Sequence, residues 1–433
     1  MKISTHIINP KNIFFKIKNN HNFKNGILFT LFSFLNNGIN FLLLIILASY
    51  LAPEGYGKLN LFTTSITIFT VLIPLGTSGF VSICFFNKTI DELKSVINII
   101  STISFLILIL LSLILFLGRD FFFEIFSFSF DYQFLALLIC FFQVFNLLNL
   151  ELWRLEEKPV KYGFYSLGIA VANLLLSILF VISFKMEWNG RVYAQLIITF
   201  LFFILSLIFL IRKKYFLIKK INIPLLKETL YFGIPLIPHQ ISGWLRQGID
   251  RYIINFYIST ATVGLFSFAF NFANIIHMVG AAFNASNSVF IYKNLGKKDD
   301  KIRIKLLKQT QFMCLLFAII TIFIIIGAYI LIPYIFPKYT SSRSFLVPLC
   351  SGAFFQCVYY LFVNYLFYFK RTKILMYITI TGSIMHLILS FLFTRYSIMY
   401  TAYITLFSNF VICILVILYS QKIYPLFEKK NSK

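Results

Sequence analysis

Stretches of about twenty apolar residues recur along the whole chain with short connections between them, and this spacing leaves few folds open. Residues 59% hydrophobic and 12% charged place the chain outside the range of water-soluble domains. In lipid, backbone N–H and C=O groups find no water, so only helices and closed barrels can span it. The segments here are too long and too evenly apolar to be the alternating strands of a barrel. The chain therefore reads as an all-α polytopic membrane protein.

Twelve spans are expected, near residues 26–48, 59–84, 96–117, 132–152, 162–184, 192–211, 230–257, 263–290, 309–331, 345–369, 374–393 and 399–419. The positive-inside rule tests this count, because short cytoplasmic loops collect Lys and Arg. Of the 39 such residues, only Lys58, Arg119, Lys185, Arg191, Lys338, Arg343 and Arg395 fall in the outer loops, and Arg246 and Arg251 lie in the seventh span. The rest sit at the other ends of the spans. Adding or removing one helix would destroy this alternation, so an even count with both termini in the cytoplasm is expected. The +24 net charge is thereby assigned to topology and lipid headgroups, and it forms no aromatic-lined groove for nucleic acid.

The expected organisation is a basic leader (1–25), a six-helix lobe (26–211), a basic linker (212–229), a second six-helix lobe (230–419) and a basic tail (420–433). The leader carries no small-residue cleavage signature and reads as retained. Ile13, Phe14, Phe15 and Ile17 among its lysines suit a short interfacial helix or a loose basic segment. The six cysteines lie in apolar stretches without a CxxC pair and read as small apolar side chains. A shift of 207 residues sets Tyr50 on Tyr257 and Gly57 on Gly264. Six spans per half make this a parallel repeat, which places a transport path between the halves.

Charge is expensive inside a bilayer, about 2.5 to 3.5 kcal/mol for a central Arg or Asp on insertion scales. The seventh span nonetheless carries Arg246, Asp250 and Arg251. With His239, Gln240, Gly243 and Gln247 they cover about 140° of a helical wheel at ~100° per residue. On the first span Ser33, Asn36, Asn37 and Asn40 form a similar stripe, and the 207-residue shift carries Ser33 and Asn40 onto Gln240 and Gln247. Both faces are expected to line a central cavity. Arg246 and Asp250 are spaced to pair along the helix, which would neutralise them and fix packing. Against that, one Asp cannot offset two Arg, and the surplus favours an anion, with Arg suited to phosphate through its planar fork. Asp250 is also a candidate site for a coupling proton or sodium ion. Pro235 and Pro238 are expected to kink the span, with a role in gating or none.

His239, His277 and His386 are isolated in sequence, and His386 shares a face with Thr379, Ser383 and Ser390, which suits either a cavity wall or an interhelical hydrogen bond. The amides Gln143, Asn146, Asn271, Asn274, Asn284, Asn287, Gln356 and Asn364 suit sugar hydroxyls or helix adhesion. No catalytic constellation, nucleotide loop or metal-spaced cluster is present in the sequence, which argues against an enzyme or an ATP-driven pump.

The runs LAPEGYGKLNLF (Leu51 to Phe62), LGTSGFVSICFF (Leu75 to Phe86), FGIPLIP (Phe232 to Pro238), Asp250-Arg251 and TATVGLFSFAF (Thr260 to Phe270) resemble the polysaccharide-biosynthesis flippases. These are the Wzx-type O-antigen or repeat-unit translocases of the multidrug/oligosaccharidyl-lipid/polysaccharide exporter superfamily. The matching positions are Gly57, Gly264, Pro235, Asp250 and Arg251. The resemblance implies two six-helix lobes around a cationic V-shaped cavity, moving an undecaprenyl-diphosphate-linked oligosaccharide between leaflets by alternating access. It also implies polymerase and chain-length proteins as pathway partners. A small-solute or multidrug antiporter of the same superfamily is the first alternative, and a membrane glycosyltransferase or repeat-unit polymerase the second. A cationic drug would want surplus carboxylates, and a polymerase a large outer loop.

Overall fold

The computed structural model describes residues 21–216, 222–295 and 300–427. The expected interfacial segment around Phe14 lies outside them. Sixteen α-helices are found among the described residues. In the first half they are α1 (His21–Tyr50), α2 (Pro53–Leu72), α3 (Phe80–Asn87), α4 (Ile90–Leu117), α5 (Arg119–Phe126), α6 (Phe130–Leu155), α7 (Pro159–Ile178) and α8 (Glu187–Arg212). In the second half they are α9 (Ile223–Gly233), α10 (Ile237–Gln247), α11 (Ile249–Tyr257), α12 (Thr260–Leu295), α13 (Asp300–Ile335), α14 (Arg343–Tyr368), α15 (Thr372–Phe393) and α16 (Ile398–Ile423).

Ten of these segments are individually long and apolar enough to cross a bilayer. The pair α2 and α3 forms an eleventh pass, bent by 54°. At that bend Leu75 and Gly76 adopt positive φ. Over the expected seventh span, 230–257, the chain forms three separate helices, α9 to α11. The expectation of one continuous seventh helix is therefore corrected. Pro235 lacks an N–H to donate, and the backbone tightens into a 3-10 turn over Ile234–Leu236 before α10 begins with Pro238 in its first turn. A second break falls at Gly248, where a Cβ would meet Trp244 Nε1 at 2.9 Å and Thr64 Cγ2 at 3.0 Å.

The repeat is visible in the element boundaries. Helix α2 starts at Pro53 and α12 at Thr260, which is the 207-residue shift, while α6 and α14, and likewise α8 and α16, are each 26 residues long. Helices α12 and α13 run 36 residues each, about 54 Å at 1.5 Å per residue, and so outrun a core of about 30 Å.

By packing, the chain forms two units. The first comprises residues up to Leu47 with Phe69–Ile114 and Phe134–Pro235, and the second comprises Ala48–Ile68, Leu115–Gln133 and Leu236 onward. Within the first unit, Tyr165 Oη donates to the Phe202 carbonyl and lies 2.8 Å from Asn146 Oδ1, while Asn146 Nδ2 donates to the Thr199 carbonyl. Asn146 is thus helix adhesive here. Arg191, one turn inside α8, donates to Asn173 Oδ1 and Ser177 Oγ. In the second unit α14 is the central element, packed by α12, α13 and α16 and buried along most of its length.

Beyond the end of α6, Glu156 accepts from Lys158 and from Lys213 at 2.7 Å each and from Tyr215 at 3.2 Å. Burial alone would raise its carboxyl, but the hydrogen bonds and charge of the two lysines outweigh that and lower it. A lowered folded-state value stabilises the fold above the ordinary carboxylate range and ceases to do so as pH falls through it. Glu156→Gln is therefore expected to lower stability at neutral pH by less than ~1 kcal/mol, the group being partly solvated, and to match the parent only in acid well below the ordinary carboxylate range. Thermal unfolding in detergent at both pH values checks this.

Candidate functional site: an arginine chamber in the second unit

Helix α10 ends in Arg246 and Gln247, and both face a cavity of about 420 Å³ counted out to its mouth. Asn274 and His277 from α12, Gln356 from α14, and Thr405 and Asn409 from α16 supply the other polar walls, with Phe270, Ala273, Leu349 and Ala353 between them. The volume falls toward the small end of ligand pockets, which run from about 300 to 1,000 Å³. Among the described residues no carboxylate lines the chamber.

Arg246 makes no hydrogen bond and no ion pair with any described residue, and its Nε is shielded from solvent without a partner. A charge left unmatched in a low-dielectric wall is costly unless a ligand or water meets it. The pairing with Asp250 that the i, i+4 spacing allows does not form. Asp250 instead turns away, 2% exposed, and all its contacts come from other helices. Its Oδ1 accepts from Ser390 Oγ at 2.9 Å and lies 3.0 Å from His386 Nε2, and its Oδ2 accepts from Thr405 Oγ1 at 3.1 Å. His386 Nδ1 lies 3.2 Å from Ser408 Oγ, so this histidine is held in an interhelical network.

The break at Gly248 explains why Asp250 and Arg246 part company. The Arg251 N–H bonds to the Gly248 carbonyl, which leaves the Gln247 carbonyl without its helical donor. Arg251 Nη1 fills that place at 2.5 Å, while its Nε donates to Ser267 Oγ at 3.1 Å and its guanidinium lies 4.9 Å from the centre of the Phe270 ring. Arg251 is thus held by protein groups behind one wall of the chamber, and Arg246 is left to the chamber itself.

Of the other residues singled out in the sequence, Gln247 joins Arg246 at the chamber, while His239 and Gln240 are exposed and do not line it. Asn36 is half-buried and Asn37 and Asn40 are exposed on α1, in the first unit. Pro235 is the middle residue of the 3-10 turn, Pro238 lies just beyond it, and both are exposed. Sequence reasoning left His277 isolated, yet its Nε2 lies 2.7 Å from Tyr360 Oη and it faces the same space as Arg246. The signal was its spacing from Phe270 and Asn274, which puts all three on one face of α12. Thr405 and Asn409, one turn apart on α16, carried no such mark.

The polysaccharide biosynthesis protein family matches residues 23–290, more than half of the chain, and the MatE family matches 235–392. The "Lsg locus putative protein 1" of Haemophilus influenzae is 22% identical over 370 residues, which cover 84% of this chain and 89% of that protein. Among solved structures, an inward-facing multidrug resistance MATE transporter of the MOP superfamily aligns with a TM-score of 0.72 at 17% identity, covering 92% of this chain and 96% of its own. The lipid II flippase MurJ in an inward closed conformation aligns with a TM-score of 0.67 at 14% identity, covering 91% and 87%. With a match over more than half of its length, the chain belongs to the polysaccharide biosynthesis protein family.

Proposed function

We propose that this protein is a flippase carrying an undecaprenyl-diphosphate-linked oligosaccharide repeat unit across the cytoplasmic membrane by alternating access. The observation that carries this reading is the unmatched guanidinium of Arg246 in a chamber without carboxylates. A diphosphate supplies the missing negative charge and accepts the bidentate bonds that a guanidinium offers. The carboxamides of Gln247, Asn274, Gln356 and Asn409 offer donors and acceptors suited to sugar hydroxyls. The undecaprenyl tail remains in lipid. In this scheme the Lys/Arg-rich face and both termini are cytoplasmic, polymerase and chain-length proteins receive the product, and Asp250 is where a coupling proton or sodium ion would act.

Reconstitution tests the reading. Purified protein in liposomes is expected to speed transbilayer movement of a fluorescent undecaprenyl-diphosphate oligosaccharide at least ~10-fold over protein-free vesicles, a barrier change of about 1.4 kcal/mol. Movement at the protein-free rate, with cation-driven drug efflux in its place, would transfer the protein to the antiporter class.

A further inference from the structure

A guanidinium carries one charge, whereas a diphosphate esterified to lipid at one end and sugar at the other carries two. Esterification removes the oxygen that titrates near about pH 6 in a phosphate monoester, so both charges persist across the neutral range. Arg246 alone leaves one of them unmatched. No lysine or second arginine lines the chamber, and the other basic side chain in its wall, among the described residues, is His277 of α12.

His277 is half-buried, and its Nε2 lies 2.7 Å from Tyr360 Oη. A hydroxyl donates to a neutral imidazole nitrogen and, by rotating, accepts from a protonated one, so this partner serves either charge state. His386 differs: it is fully buried and lies against the Asp250 carboxylate and Ser408. From α14, Tyr360 and Cys357 flank His277, the thiol of Cys357 donating to the Ile276 carbonyl. Asp250 and Arg251 of α11 are engaged with Ser390, Thr405 and Ser267. Among the described residues on the elements around α12, Arg246 is the charged group within electrostatic reach of the ring.

We propose that His277 is the second anion-binding group of the chamber: it takes up a proton as a doubly charged diphosphate enters, and so selects that headgroup over singly charged phosphodiesters. The inference rests on the chamber being a diphosphate site and names what sets its charge selectivity. A dianion seated between the Arg246 guanidinium and the His277 ring favours the imidazolium by opposite charge, and the proton supplies the missing match. A monoanion is neutralised by Arg246 alone and draws no proton. Common phospholipids, with one charge per phosphodiester, therefore gain less from the same walls.

Equilibrium binding to the purified protein in detergent, read by fluorescence anisotropy, tests this with two probes: a farnesyl-diphosphate-linked sugar and the matching farnesyl-monophosphate-linked sugar. Every phosphate in both is esterified, so any pH dependence belongs to the protein. The diphosphate probe is expected to bind about 10-fold more tightly at about pH 6 than at about pH 8, and the monophosphate probe to change by less than about 2-fold. His277→Gln, whose amide can still meet Tyr360, should hold the diphosphate probe at the weaker affinity throughout, and His277→Arg at the tighter one. Parent affinity for the diphosphate probe that does not vary with pH, a dependence that survives His277→Gln, or no binding of that probe would overturn the proposal. No lipid crosses a membrane in this assay, so the two readings fail separately. Flipping with pH-independent binding sinks the His277 assignment alone, and pH-dependent binding without flipping sinks the flippase alone.

Discussion

Replacing Arg246 with alanine is expected to abolish surface polysaccharide while the protein inserts and folds as before. Two observations fix this pairing of effects. The guanidinium faces the chamber with no carboxylate in its walls, so a bound anion loses its charged partner. A charge-assisted bidentate contact contributes about 3 kcal/mol or more, on the order of 100-fold in affinity. The same side chain makes no hydrogen bond or ion pair with described residues, so its removal strands no protein group. The melting temperature should hold or rise by a few degrees, because an unmatched charge has been removed. Arg246→Lys should fall between parent and alanine, since an ammonium keeps the charge and loses the fork. Surface polymer at the parent level from Arg246→Ala cells, quantified against equal membrane protein, would defeat the anion-binding role.

Asp250→Ala is expected to fail in the opposite way, through the fold. His386 Nε2, Ser390 Oγ and Thr405 Oγ1 all turn to this carboxylate from α15 and α16, and all three residues are buried. Removing it leaves His386 and Ser390 facing a void, while the Thr405 hydroxyl keeps the Thr401 carbonyl, and takes the nearest negative charge from Arg251, itself 7% exposed. Breaking a buried charged network by deleting one partner costs about 3 to 5 kcal/mol. That is a large share of the 5 to 15 kcal/mol that typical domains hold. Asp250→Asn keeps the shape and two acceptor lone pairs, and should cost about half as much. Unfolding in detergent, followed by tryptophan fluorescence, measures both. An Asp250→Ala protein as stable as the parent would show that the network is not structural and would leave ion coupling as the sole role for this residue.

Much of the fold was legible in the chain. Apolar length marked the membrane-spanning helices, and Pro235 marked the kink where the 3-10 turn forms. The 207-residue shift that sets Gly57 on Gly264 reappears in the starts of α2 and α12, at Pro53 and Thr260. Helical-wheel reasoning on the seventh pass failed for a specific reason. A wheel assumes one axis, and the breaks at Ile234 and Gly248 divide that axis.

The sequence by itself determined that this chain is a bundle of membrane helices with arginine buried in its second half, because lipid admits no other backbone and charge there demands a partner. Tertiary structure alone decided which arginine remains open. Both Arg246 and Arg251 sit on one polar stripe, but the partners that satisfy Arg251 come from Ser267, Phe270 and a carbonyl freed by a helix break, and Asp250 is claimed by helices 136 to 155 residues further along the chain. Pairings over such distances depend on how helices pack, and no local pattern of residues encodes them.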